Sequence, residues 1–553
     1  MHSNEDRALG RFYTPPTLVA LVLGLARGTD CDNTPQRLWD PTCGDGAFLR
    51  GARDAGVPED RLHGSDLDGH AIAGLREAMP AASLTHSDLF ALTPRQLGTF
   101  DVIVGNPPFL RTERVAAADR ARVRAQVQAQ VGVPIPGSAD ISLLALVWCC
   151  RFLRPGGTLA FVLPCTVLDV SSGETLRSWL SENYRVRFVL DSVVEPWFVD
   201  AAVNTVVVVV QATRPGPVTF CRLAVPVSGA LAGPLRAEKS HPGVSQRTLP
   251  GAALSAPRWS LLLRAPDLWF SLRERAGAGL VPTAARVTLS YGVKPGISDF
   301  FAPRPPPDVE SSCLRPFLRT LRGQHRYRVT EADTPDRLFV VPPAIDPPPR
   351  ARLWIEQGAA RTSRGGVPYP EVPSVRGNAP WWRLSAPDIG PVLIPQFRAS
   401  RHHILHNPER VAVNNSAWHG SFVDPAHEEL GVALLNSTVM ALGAEVLGRT
   451  NLGQGLLTLY GPELAAVPMP DPARFDGAVA DTVRAAWARL VSRPVLPLED
   501  ELDQPDRQAL DRAVCVGLGL DPTLAPTLGA AALTLMHTRL GLASKRRAQS
   551  SAR

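Results

Sequence analysis

The stretch from Phe100 to Phe109, Phe-Asp-Val-Ile-Val-Gly-Asn-Pro-Pro-Phe, constrains this chain most. Its first half is apolar, β-branched and bounded by turn residues, which reads as a buried strand. Asn106-Pro107-Pro108-Phe109 then ends it. Neither proline offers a backbone N–H, and the residue before a proline is held out of the helical region. The chain therefore leaves the sheet in a stiff, extended turn. That turn holds the Asn106 amide, the Pro107 carbonyl and the Phe109 ring at the carboxyl edge of a strand, where open α/β sheets bind ligands. Two acceptors and one aromatic face suit a flat base carrying an exocyclic amine. Asn-Pro-Pro also recurs in ordinary loops, so the meaning of the stretch depends on its neighbours.

Upstream, Gly10-Arg11-Phe12-Tyr13-Thr14-Pro15-Pro16 reads as a turn, and an apolar helix follows from Thr17 to about Ala26. Prolines at the start of a helix fit this reading. Next, Arg37-Leu38-Trp39-Asp40 is a short strand that runs into Pro41-Thr42-Cys43-Gly44-Asp45-Gly46, with a helix opening near Ala47. Glycines let backbone approach a ligand, and a helix N-terminus offers unsatisfied N–H groups. The loop departs from the G-x-G-x-x-G dinucleotide fingerprint, and there is no G-K-[ST] phosphate loop, which disfavours hydride transfer and nucleotide hydrolysis. A second strand ends at Asp66, about 20 residues beyond the glycine loop, where an acid can take ribose hydroxyls. Asp68 reads as the N-cap of the following helix. A third strand leads to Asp88, placed to accept from an adenine amine, with Leu89 and Phe90 beside it.

In this order the parts resemble the N6-adenine DNA methyltransferases of restriction–modification systems, in the gamma-class (TaqI-like) arrangement. The carriers are Gly-Arg-Phe-Tyr-Thr-Pro-Pro, Asp-Pro-Thr-Cys-Gly-Asp-Gly-Ala-Phe-Leu, Gly-Ser-Asp-Leu-Asp, Ser-Asp-Leu-Phe and Asn-Pro-Pro-Phe. The resemblance covers Gly10 to Val210. It implies S-adenosyl-L-methionine as cofactor, with Thr14 and Pro15 beside its methionine end. Asp40, Gly44 and Gly46 cradle it, Asp66 takes the ribose and Asp88 the adenine amine. It also implies that Asn106, Pro107 and Phe109 are the catalytic group, and that Phe198, in Trp197-Phe198-Val199-Asp200-Ala201-Ala202-Val203-Asn204-Thr205, helps hold the target base. Core packing beside Trp197 is the alternative for Phe198. Asn at the first motif position favours adenine; N4-cytosine enzymes of this superfamily usually carry Ser there.

The predicted fold is α/β: a Rossmann-like methyltransferase domain over residues 1–215, followed by a mixed α+β target recognition domain. Further elements of the first domain are a helix at 139–154, a strand at 158–164, a helix at 172–183, and strands at 185–190 and 203–211. Residues 110–137 are polar and rich in Arg and Ala, and read either as a loop that orders on DNA or as a surface helix. Residues 216–470 are assigned to a linker and the recognition domain. Within them Pro215–Pro282 reads as a connecting region, and Ser290-Tyr291-Gly292-Val293-Lys294-Pro295-Gly296 resembles a loop opening the recognition domain in related enzymes. Residues 471–553 are assigned to a helical extension with a disordered tail that carries Lys545-Arg546-Arg547.

Composition bears on partners. Of 553 residues, 20% are charged and 45% hydrophobic, and the net charge is +6, which leans toward an anionic partner. Lys239, Lys294 and Lys545 are the only lysines; arginine suits phosphate and guanine recognition. Arg315, Arg319, Arg322 and Arg326 fall in one window without acids, and are candidate contacts to double-stranded DNA, or else a solvated arginine face. The cysteines form no C-x-x-C pair, so neither a disulfide framework nor a zinc site is expected. His402-His403 lacks the acid-and-lysine pattern of a nuclease, and no metal site is assigned. With Thr14 so near the start, a fused nuclease is not expected; a separately encoded restriction endonuclease is a possible partner. No signal sequence or apolar run of about 18 residues is seen, so a cytoplasmic protein without membrane association is expected. The rival readings are an RNA or protein-glutamine methyltransferase using the same tetrapeptide, and a non-catalytic DNA-binding module.

Overall fold

All residues of the strand Phe100–Gly105 are buried, which requires cover on both faces of its sheet. The computed structural model, which describes residues 14–27, 37–109, 117–195, 197–198, 204–227, 241–256, 258–342, 345–384, 389–450 and 455–551, supplies it. The chain divides into two compact units. One comprises Met1–Ala265, Asn451–Gly455 and Thr538–Arg553; the other comprises Pro266–Thr450 and Leu456–His537.

The first unit is built on a nine-stranded sheet. In chain order its elements are α1 (Pro16–Arg27), β1 (Leu38–Asp40), α2 (Ala47–Asp54), β2 (Leu62–Asp66), α3 (Gly69–Ala78), β3 (Ser83–His86), β4 (Phe100–Gly105), α4 (Ala117–Val131), α5 (Ile141–Cys150), β5 (Leu153–Pro164), α6 (Glu174–Asn183), β6 (Arg185–Ser192), β7 (Thr205–Gln211), β8 (Val218–Leu223) and β9 (Val244–Leu249). The strand order is β3-β2-β1-β4-β5-β7-β6-β8-β9. Strands β3 to β5 run parallel, and β7 lies antiparallel between β5 and β6. The order reverses between β1 and β4, so the crevice beyond their carboxyl ends is where this architecture holds ligands.

The mostly valine strand β7 fills the middle of the sheet, with Thr205–Val210 all buried. Helix α1 buries Leu18, Val19, Leu21, Val22, Leu23, Leu25 and Ala26. It packs closely on α2, because a Cβ at Gly51 would lie 2.5 Å from Val19 Cγ1. The helix begins at Pro16, one residue before the expected start at Thr17.

Two expectations are corrected here. Residues 218–223 and 244–249, assigned to the linker, are strands β8 and β9 of the same sheet, and the first unit runs on to Ala265. Their Pro- and Gly-rich surroundings hide two short strands at the edge. The C-terminal tail, expected to be disordered, continues as the helix Ala525–Ser551; its Ala, Leu and Met content explains this. Of the two readings for 110–137, Ala117–Val131 forms a helix that buries Val123, Val127 and Val131. Residues 110–116 lie outside the described residues, as do Gly10–Tyr13 of the first motif and 199–203 of the late one.

The second unit holds a four-stranded sheet in the order Val287–Tyr291, Ala417–Phe422, Val392–Pro395, Leu405–His406. The C-terminal helices as far as His537 are part of this unit. Glu501, fully buried, accepts from the Tyr327 hydroxyl at 2.8 Å and pairs with Arg493 at 2.7 Å. Buried Arg507 donates to Asp511 at 2.9 Å, and Asp511 accepts from the Thr438 amide at 2.6 Å. Among the described residues no single helix is long and apolar enough to cross a membrane. The bent pair Pro425–Leu435 and Thr438–Leu447 is apolar enough together, and most of its residues are core of this unit.

Candidate active site

The ends of β1, β2, β3 and β4 converge on one cavity of about 890 Å³, lined among others by Thr14, Asp40, Gly44, Asp66, Asp88, Asn106 and Pro108. This volume lies in the range of small-molecule and cofactor sites, ~300–1,000 Å³. Pro15, Gly46, Pro107 and Phe109 adjoin these residues in the chain without lining the cavity themselves.

The loop after β1 is shaped by backbone hydrogen bonds. The Cys43 N–H donates to the Ser65 carbonyl at 2.9 Å, and the Gly46 N–H to the Cys43 carbonyl at 2.7 Å. Gly44 has φ +49° and Gly46 φ +84°, both in the left-handed region that favours glycine. At Gly46 space is closed as well, since a Cβ there would sit 2.4 Å from Leu75 Cδ2. Helix α2 starts on the next residue, so its first N–H groups face the cavity mouth.

Asp66 stitches the loop to β2. Its Oδ2 accepts from the Gly44 N–H at 2.8 Å and its Oδ1 from the Asp68 N–H at 2.8 Å. A carboxylate has about four acceptor positions, so each oxygen retains one for a ligand hydroxyl. Asp68 caps α3, accepting from the His70 and Ala71 amides, as the sequence predicts. Asp88 accepts from the Phe90 N–H at 3.0 Å and lies 2.7 Å from the Arg122 guanidinium on α4.

Asp40 is 1% exposed. Burial drives its carboxyl well above the usual range, the Thr42 N–H opposes this, and Asp66 and Asp45 add to it. A Cβ at residue 105 would fall 3.1 Å from Asp40 Oδ1, so Gly105 makes room for this side chain. The Thr42 hydroxyl is buried at the cavity wall without a partner among the described residues. Besides the buried Asp40, the lining carries five carboxylates, Asp45, Asp66, Asp68, Asp88 and Asp119, against two arginines, Arg50 and Arg122. Its field therefore favours a cationic ligand.

Beyond β4, the Asn106 amide nitrogen donates to Thr14 Oγ1 at 3.2 Å. This contact joins the first motif to the tetrapeptide and turns the amide oxygen away from Thr14. The half-buried Phe109 ring meets Phe198 edge-on, with centroids 5.9 Å apart. Phe198 is 5% exposed and packs in the core with Trp197. Of the two readings for Phe198, base holding and core packing beside Trp197, the structure shows the packing, with the ring edge-on to Phe109. Two further residues line the cavity without a sequence motif to mark them: Leu67, which is 71% exposed, and Arg122. An apolar residue between two acids invites no core assignment, and that was the available signal for Leu67.

In the second unit the arginine window splits. Arg319 is bound at 3.2 Å to Asp336, which also takes Arg304 at 2.6 Å. Arg319 is thus held by a partner that its acid-free local sequence does not show, because Asp336 comes from a later segment. Arg315, Arg322 and Arg326 are exposed, and no acid pairs with them among the described residues. His402 is buried, 2.8 Å from Arg398 and 3.1 Å from the Leu435 carbonyl. Burial holds its imidazole far below its ordinary pKa. Among the described residues no cluster of three or more His, Cys, Asp or Glu is arranged to hold a metal.

Comparison with known proteins finds the Eco57I restriction-modification methylase family matching residues 75–198. The chain is 32% identical over 184 residues to the Type II methyltransferase M.TthHB8I of Thermus thermophilus, covering 33% of this chain and 40% of that protein. It is 27% identical over 218 residues to the Type II methyltransferase M.BanIII of Aneurinibacillus aneurinilyticus, covering 34% and 36%. The chain thus spans about two fifths of the length of the curated relatives it matches. Among solved structures, the type IIG restriction endonuclease BpuSI aligns over 98% of this chain and 66% of its own, with a TM-score of 0.45 and 14% identity.

Proposed function

We propose that this chain, which carries an Eco57I restriction-modification methylase domain, is a site-specific DNA adenine-N6 methyltransferase. It uses S-adenosylmethionine and serves restriction–modification or phage defence. The observation that carries the reading is the meeting of Thr14, Asp40, Asp66, Asp88 and Asn106 around one acidic cavity. These residues come from separate motifs and share no chain neighbourhood.

The cavity fits the cofactor on chemical grounds. Its carboxylate excess suits a ligand with sulfonium and ammonium charges. The unpartnered Thr42 hydroxyl and the open acceptor positions on Asp66 suit a ribose and an amino acid, and exposed Leu67 suits a purine face. When bound, the cofactor supplies a methyl group on a good leaving group. The protein's task is then mostly to position the reactants.

Adenine N6 is a poor nucleophile, because its lone pair is delocalised into the ring. The Asn106 side-chain oxygen and the Pro107 carbonyl accept its two hydrogens. This favours a tetrahedral nitrogen and stabilises the charge that develops on it. Thr14 orients the amide for this task. The amine is out of reach inside a duplex, so the base is turned out of the stack and lies against Phe109, a contact of ~1–3 kcal/mol. No dedicated base is needed before attack; the proton leaves afterwards to water. Arg315, Arg322 and Arg326 contact the DNA, and Arg319 supports them through Asp336.

Asn106→Ala tests the reading. Methyl transfer to DNA falls by at least about 10²-fold, while S-adenosylhomocysteine still binds within about threefold of wild type. Undiminished turnover by this variant on cognate DNA contradicts the assignment.

A further inference from the structure

The sequence assigns Asp88 a single duty, accepting from the adenine amine. The structure adds a second partner. The Arg122 guanidinium lies 2.7 Å from Asp88 Oδ2, while Asp88 Oδ1 accepts from the Phe90 N–H at 3.0 Å. Held at both oxygens, the carboxylate is restrained from turning about its Cβ–Cγ bond. Of its roughly four acceptor positions, two remain, one on each oxygen. Arg122 and Asp88 both line the cavity. Arg122 belongs to α4, the first helix after the Asn106–Phe109 segment, and α4 is anchored by Val123 and Val127 from the same face. Asp119, one turn back on that helix, lies 3.5 Å from the same guanidinium and steadies it.

We propose that Arg122 is a positioning residue that sets purine selectivity in the cofactor pocket, by fixing the Asp88 carboxylate in the orientation that accepts a 6-amino group. The inference rests on the S-adenosylmethionine reading above. A carboxylate fixed beforehand spends less of the binding energy on ordering itself. It also repels a ligand bearing an oxygen at the same ring position, since both groups are acceptors. A carboxylate free to rotate can turn away from that oxygen and loses the discrimination.

The test is calorimetric binding of S-adenosylhomocysteine and of its inosine counterpart to wild type, Arg122→Ala, Arg122→Gln and Asp88→Asn. Wild type prefers the adenine ligand by about tenfold or more. In Arg122→Ala that preference falls to about threefold or less, through weaker binding of the adenine ligand and relieved repulsion, hence somewhat tighter binding, of the inosine ligand. Arg122→Gln, which keeps a donor, lies between. The double variant with Asp88→Asn is no less selective than Asp88→Asn alone. In turnover, Arg122→Ala raises the KM for S-adenosylmethionine and leaves kcat within about twofold. A preference retained in Arg122→Ala overturns the inference, as does tighter binding of the adenine ligand, which would make Arg122 a competitor for Asp88. Arg122 is exposed on a surface helix, and the Gln variant, with an unchanged melting temperature, guards against misfolding. If wild type binds neither ligand, the cofactor reading itself fails, and this inference with it.

Discussion

Asp40 shows how one side chain ties chemistry to stability. Its carboxyl is almost fully buried, and burial raises its pKa well above the ordinary carboxylate value. Ionising it in the folded, ligand-free protein therefore costs stability. The unfolded chain ionises at about pH 4, so the ligand-free protein loses stability as pH rises from there toward the folded-state pKa. A cationic ligand reverses the preference and drives the proton off. Affinity for S-adenosylmethionine accordingly climbs with pH, and binding releases a proton, seen as a buffer-dependent heat in calorimetry. Asp40→Asn abolishes both effects, raises the melting temperature of the ligand-free protein at neutral pH, and weakens cofactor binding by about tenfold or more. A pH-independent affinity in wild type would contradict this account. At this scale the sequence was informative about placement: Asp66, Asp88 and Asn106, each at a strand end, line one cavity. It says less where a distant partner decides: Arg319 pairs with Asp336, and Phe198 packs with Trp197 in the core.

The elements that hold the site are short, and glycine sets their geometry. Gly46 combines φ +84° with a closed approach to Leu75, so Gly46→Ala strains the backbone and pushes on α3 at once. The expected cost is about 1–3 kcal/mol in stability, and the cofactor-induced rise in melting temperature is lost. An alanine variant that keeps the full ligand-induced rise would mean that the loop does not cradle the ligand. Strands β4, β5 and β7 were legible because buried strands read as continuous apolar runs, whereas the short β1, β2 and β3 were legible from the acids and turn residues that end them. Strands β8 and β9 were not: β9 alternates half-exposed polar residues, and its neighbourhood of prolines and glycines reads as linker. Helix α4 presents little apolar surface, since only Val123, Val127 and Val131 are buried, which is why its stretch admitted two readings.

For the whole molecule, chemistry and recognition are assigned to different units, and they should be separable by mutation. Arg322→Glu together with Arg326→Glu weakens DNA binding and lowers the slope of log affinity against log salt by about 1 per lost phosphate contact. Cofactor affinity stays at the wild-type value. A variant that binds DNA with unchanged affinity and salt slope would remove these arginines from the interface. The second unit was the less legible half, because its order depends on long-range buried pairs. Tyr327 with Glu501 and Thr438 with Asp511 have no local sequence signal, and they make the C-terminal helices part of the unit rather than an appendage. The central claim is that Asn106 and the acids of the neighbouring strand ends deliver a methyl group to adenine in DNA. It is tested most directly by sequencing modified bases in the DNA of a methylation-free host that expresses either wild type or Asn106→Ala. The account predicts N6-methyladenine at one recurring sequence with wild type and none with the variant. Unmodified adenine in the wild-type culture, or equal modification in both, would contradict it.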